Sequence, residues 1–205
     1  MTEVPHKSAT AVLLIDDNND FLSPKGALYK GVSEFLDSQR TVQNIHRLLG
    51  AARAKSIPIV RMPMAFSPGY DEMGDAPYGI FEIIKQERAF VAGSWGARSA
   101  DIIPIADSDT VLTGKSAASA FERTGLDDWL TENGITTLVL AGLLSNICVE
   151  ATMRAAYDRG YSVIIAEDCV AALTLSEHEA ARDFNWAYFS YVMSSTSLFR
   201  PSPSP

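Results

Sequence analysis

Three residues stand out for the chemistry their types and positions could support: a cysteine, an aspartate and a lysine, each placed just beyond an apolar run. Cys148 ends the stretch Gly142-Leu-Leu-Ser-Asn-Ile-Cys148, between the run Thr137-Leu-Val-Leu-Ala141 and the helical pattern from Glu150 to Tyr157. That order reads as strand, sharp turn and helix, with the cysteine at the helix start. Backbone N–H groups and the helix dipole there favour thiolate over thiol, which suits a nucleophile. The plainer reading is a small buried hydrophobe, the usual place of a lone cysteine.

Asp16 follows Ala11-Val-Leu-Leu-Ile15, and Lys115 follows Asp109-Thr-Val-Leu-Thr113-Gly114. A carboxylate beside a thiol can take its proton, and an ammonium stabilises both the thiolate and negative charge developing on a substrate. Taken singly, Asp16 also fits a turn residue or helix cap, and Lys115 a solvated surface charge. The chain has only three histidines, His6, His46 and His178, none near another. A carboxylate base is therefore the economical assignment.

The elements that must position these residues alternate along the chain. Strands are expected at Ala11–Ile15, Ile57–Arg61, Asp109–Thr113, Thr137–Ala141 and Tyr161–Ala166, with a last one at Tyr191–Met193. Helices are expected over about 33–55, 126–133, 147–159 and 176–189, the last opened by a capping-box pattern, Ser176-Glu-His-Glu179. Strands alternating with helices predict a three-layer α/β/α domain, Rossmann-like, built on a doubly wound parallel sheet of about six strands. Ligands of such sheets bind beyond the carboxyl ends of the strands, where strand order reverses. Asp16, Lys115 and Cys148 all directly follow strands. Residues 63–103, broken by repeated Pro and Gly, form an irregular excursion, and its aromatic residues suit packing or a pocket wall.

At 205 residues, one domain over 1–199 is expected, with the tail Arg200-Pro-Ser-Pro-Ser-Pro205 disordered. Hydrophobic residues at 47% and charged residues at 20% are ordinary for a globular chain. A net charge of -8 opposes nucleic acid and anionic membrane partners and favours a small-molecule substrate. Two cysteines make no disulfide framework, and the opening residues lack the apolar segment of a signal peptide. The expected compartment is the cytoplasm.

Several ordered pieces of this chain resemble the isochorismatase-like cysteine hydrolase superfamily, specifically its metal-independent amidohydrolase branch. Leu13-Leu-Ile-Asp16-Asp-Asn-Asn-Asp20-Phe21 resembles the opening strand and its D-x-Q-x-D-F motif, and Ser94-Trp-Gly-Ala97 resembles T-W-G-A. Lys115-Ser-Ala-Ala-Ser-Ala-Phe121 resembles K-x-x-x-S-A-F, Gly142 to Val149 resembles G-x-x-T-N-x-C-V, and Asp168-Cys-Val-Ala171 resembles D-A-x-A. The resemblance covers nearly the whole chain. Asn18 stands where relatives often carry glutamine, and Leu144-Ser145 where a small residue and threonine are common.

The resemblance implies a catalytic triad of Asp16, Lys115 and Cys148, an oxyanion hole from the backbone N–H groups of Leu144 and Cys148, and a cis peptide between Leu143 and Leu144. It implies hydrolysis of a C–N bond in a small amide, carbamoyl or ureido compound through a cysteine thioester. Asn18, Phe21, Trp95 and Phe121 are the expected pocket wall. Neither a cofactor nor a metal is expected, because residues 62–96 lack the histidines of the metal-binding branch. Relatives are commonly oligomeric, so a homodimer or homotetramer is expected. Two alternatives remain: vinyl ether hydrolysis of the isochorismatase type, although that branch typically lacks the cysteine, and a thiol-redox or binding module on the same fold. Cys169 is read as buried and structural, His178 as a helix-surface residue, and Trp186 and Tyr188 as core or subunit contacts.

Overall fold

The computed structural model describes residues 9–199. The proposed tail at 200–205 and the first eight positions of the proposed domain lie outside the described residues.

β1 (Thr10–Ile15) is buried at every position, as the apolar run from Ala11 to Ile15 requires of a strand covered on both faces. β2 (Ile59–Met62), β3 (Thr110–Val111), β4 (Thr137–Leu143), β5 (Ser162–Ala171) and β6 (Tyr191–Met193) complete the sheet. The six strands are all parallel and run in the order β3-β2-β1-β4-β5-β6. The helices are α1 (Asn19–Leu22), α2 (Tyr29–Ser38), α3 (Thr41–Ala54), α4 (Ile80–Gln86), α5 (Leu126–Glu132), α6 (Glu150–Asp158) and α7 (Leu175–Phe184). From β1 the chain crosses by α3 to β2 on one side, and from β4 it crosses by α6 to β5 on the other. Right-handed crossovers moving in opposite directions put their helices on opposite faces, so the sheet is doubly wound. Among the described residues, no helix is long and apolar enough to cross a membrane.

The fold class stands as expected; several boundaries do not. The helix expected over 33–55 is two helices, parted at Arg40, whose φ of 53° is left-handed. Apolar spacing continues on both sides of the break, with Phe35 and Leu36 before it and Ile45, Leu48 and Leu49 after it, so periodicity reads straight through. The capping box of α7 is Thr174 with Glu177, not Ser176 with Glu179: Glu177 N–H donates to Thr174 Oγ1 at 3.3 Å, and Thr174 N–H donates back to Glu177 at 2.9 Å. β3 shrinks to two residues at the sheet edge, where only β2 holds it. β5 continues past Ala166 to Ala171 through a register shift opposite Leu140 to Gly142, which buries Cys169 completely.

Candidate active site

The strand order reverses between β1 and β4, and the expected site residues gather there. Ile15 stands in register with Gly142, so the turns that follow the two strands leave the sheet side by side. Gly142 has φ 113°, and a Cβ at that position would run into the backbone of Ile15. Only glycine permits the two strands to close up at this point. Asp16, the first residue beyond β1, is itself left-handed at φ 52° and wholly buried. The peptide between Leu143 and Leu144 is cis.

Asp16 and Lys115 form a fully buried ion pair. Lys115 Nζ lies 2.8 Å from Asp16 Oδ1, donates to Oδ2 at 3.1 Å and donates to the Ala117 carbonyl at 2.8 Å. Lys115 reaches this position because its backbone bridges to Met64, extending the sheet edge beyond β2. Burial raises the carboxyl of Asp16 above the ordinary aspartate range, and Lys115 opposes that rise. Burial alone would lower Lys115; Asp16 and Cys148 outweigh it and keep the ammonium above its ordinary value. The pair is thus a carboxylate made more basic beside a cation held firmly charged.

Cys148 completes the cluster, its buried thiol close enough for its ionisation to be coupled to both members of the pair. It sits in a π-helical turn, Ser145–Val149, that leads directly into α6. Single π turns recur at functional positions in helices. The helix-start argument predicts a depressed thiol pKa, but burial pushes the thiol up and the Asp16 carboxylate adds to it, outweighing Lys115 and the Leu144 N–H that points at the sulfur. The resting side chain is therefore a neutral thiol facing a ready base.

Residues not singled out as site residues in the sequence hold this cluster in place. Thr152 Oγ1 donates to the Cys148 carbonyl at 2.7 Å and accepts from Ala120 N–H at 2.9 Å, so it pins the cysteine turn to the segment after Lys115. His178 is buried rather than on the helix surface, and its Nδ1 lies 2.9 Å from Ser145 Oγ. Beside Asp16, the buried Asp17 is paired with the buried Arg61, whose Nε donates at 2.7 Å. An arginine inside the otherwise apolar β2 sequence is the signal from which this second pair could have been found. Among the described residues, no three His, Cys, Asp or Glu side chains converge as a metal site would require.

Of the expected wall, the structure brings only Phe21 to the cavity beside Cys148. Asn18 is a brace: its Nδ2 donates to the Met64 and Ala97 carbonyls at 2.9 and 2.6 Å, and its Oδ1 accepts from Met64 N–H at 2.9 Å. All three bonds go to backbone, which commits both amide hydrogens of a side chain that is wholly buried. Trp95 is turned aside, its Nε1 donating to Asp101 at 2.9 Å. Phe121 packs against Tyr161, with the Arg159 guanidinium 4.6 Å from its ring centre. The wall instead comes from Met64, α4 and Ile147. Cys169 and Trp186 are buried, as a structural cysteine and a core tryptophan should be, whereas Tyr188 is largely exposed.

The parallel sheet and its flanking helices define an α/β protein of the isochorismatase-like hydrolase fold. A cysteine hydrolase from Pseudomonas syringae pv. phaseolicola 1448A superposes with a TM-score of 0.80 over 97% of both chains at 21% identity. An N-carbamoylsarcosine amidase from Thermoplasma acidophilum superposes with a TM-score of 0.71, covering 91% of this chain and 96% of its own at 28% identity. The sequence model described as Isochorismatase domain matches residues 10–197, and the chain belongs to that family. A ureidoacrylate amidohydrolase RutB from Methylobacterium radiotolerans is 29% identical over 197 residues, spanning 90% of this chain and 76% of the relative.

Proposed function

We propose that the protein is a cysteine amidohydrolase that cleaves a C–N bond of a small amide, carbamoyl or ureido compound, with Cys148 as nucleophile. The observation that carries this reading is the buried Asp16–Lys115 pair, 2.8 Å apart, set beside the buried Cys148 thiol. The amidase and amidohydrolase activities named for two relatives support the bond type.

As the sulfur attacks the substrate carbonyl, Asp16 takes the thiol proton, so that no free thiolate needs to accumulate. The oxyanion is held by the N–H groups of Leu144 and Cys148, and Lys115 keeps the cluster's charge balanced. Asp16 then returns its proton to the departing nitrogen, releasing ammonia or an amine and leaving a thioester on Cys148. Water, deprotonated by the same carboxylate, hydrolyses that thioester and regenerates the thiol. The small molecule is the only partner this chemistry requires; a homo-oligomeric assembly remains part of the proposal.

Ammonia release from a panel of small amides and ureides, after chelator treatment, tests the reading. Release that survives the chelator and disappears in Cys148→Ala is the expected result. Release that persists in Cys148→Ala would remove Cys148 from the mechanism.

A further inference from the structure

Beside Cys148 and Asp16 lies a narrow crevice walled by Phe21, Met64, Ile80, Phe81, Ile84 and Ile147. Apart from Asp16 and Cys148, every side chain facing it is apolar. Half of the six come from α4, which lies over the reacting atoms. Its sequence, Ile80-Phe-Glu-Ile-Ile84, turns Ile80, Phe81 and Ile84 inward, while Ile83 stays exposed. The helix is seated by Phe81 against Phe66, with ring centres 6.0 Å apart.

No lysine or arginine lines the cavity, Lys85 of α4 and Arg88 just beyond it included, and other nearby cations are engaged elsewhere. Lys115 is bound to Asp16 and the Ala117 carbonyl, Arg61 to Asp17, and Arg123 to the Glu72 carbonyl. Arg98 lines a separate groove on the other side of the 94–101 segment. An ionised group brought into the cavity with a substrate would therefore lose its water and gain no counter-charge, which is strongly unfavourable.

We infer that this site, if it is the amidase site assigned above, selects substrates whose substituent next to the scissile carbonyl is compact, apolar and uncharged, with α4 as the specificity element. Carboxylated amides and ureides are rejected.

Matched pairs test this. Butanamide is compared with succinamate, and propylurea with N-carbamoyl-β-alanine, by ammonia release. In parallel, the rate of Cys148 alkylation is measured by peptide mass spectrometry for N-propyl iodoacetamide against N-(2-carboxyethyl) iodoacetamide, each normalised to its rate with glutathione. The neutral member is expected to be favoured on the order of 100-fold in both readouts. Phe81→Arg and Ile80→Lys should each narrow that ratio by supplying a counter-charge. Equal or greater rates for the carboxylated members would overturn the inference, as would failure of the neutral reagent to modify Cys148. Alkylation that discriminates without ammonia release from any compound would sustain the apolar pocket and defeat the amidase reading.

Discussion

Ser145 Oγ and His178 Nδ1 meet at 2.9 Å, tying the turn that carries Cys148 to α7, thirty-three residues further along the chain. Around this bond the imidazole is packed against Phe35 and Trp186, with ring centres 5.2 and 5.3 Å away. The ring is thus fixed by shape as well as by its polar contact.

Removing the imidazole leaves a buried hydroxyl without its partner and a gap between two aromatic rings. His178→Ala is expected to cost about 2–4 kcal/mol in urea unfolding. The native histidine also predicts a pH dependence. Burial lowers its pKa below the ordinary 6.5, and Arg182 acts in the same direction. Below 6.5 the unfolded chain takes up a proton that the folded chain refuses, so stability falls as pH drops through this window. His178→Gln should flatten that slope; an unchanged slope would dissociate it from His178.

On the mechanism proposed above, Asp16 sets the acid side of the rate profile. It must be ionised to accept the thiol proton, and burial raises it above the ordinary 3.8. Activity should fall with acidification in a single limb that lies above the usual carboxylate range. Lys115 and Cys148 are both shifted upward, so no alkaline limb is expected near neutrality. Asp16→Asn should reduce kcat by roughly 10²–10⁴-fold and abolish the acid limb. A limb retained in that variant would belong to another group.

The Asp17–Arg61 pair should behave as a buried unit. Arg61→Met strands a carboxylate in the interior and is expected to cost about 3–5 kcal/mol in chemical denaturation. Replacing both residues, as Asp17→Leu with Arg61→Met, should recover most of that loss. Additive losses would mean that the two side chains are energetically independent despite their contact.

Two glycines provide a contrast. Gly142→Ala meets both a positive φ and the Ile15 backbone, so a loss of about 2–4 kcal/mol is expected, with ammonia release falling as β1 and β4 part. Gly50 lies in the middle of α3 with nothing near its missing Cβ. Gly50→Ala should raise thermal stability by up to about 1 kcal/mol and leave activity unchanged.

Asp16, Lys115 and Cys148 were legible because each comes soon after an apolar run that reads as a strand, and strand ends are where this architecture presents side chains to a ligand. The sheet itself was legible from the same runs. The wall was not. α4 has only seven residues, too few for helical periodicity to show, and it lies in the Pro- and Gly-rich stretch after β2. Trp95 and Phe121 look like pocket aromatics in sequence, but Asp101 claims one and Arg159 the other. The bracing by Thr152 and His178 left no local trace, because Ala120 and Ser145, which they hold, belong to distant segments.

The close fit of Gly142 against Ile15 has a consequence for how the protein could diversify. The spacing of Asp16 and Cys148 is governed by the hydrogen-bond repeat of two adjacent strands, whereas α4 hangs on a loop with no part in that repeat. On the function proposed above, mutations in residues 71–88 can therefore retune what enters the pocket while Asp16 and Cys148 keep their alignment. Reactivity and selectivity are inherited here as separable parts.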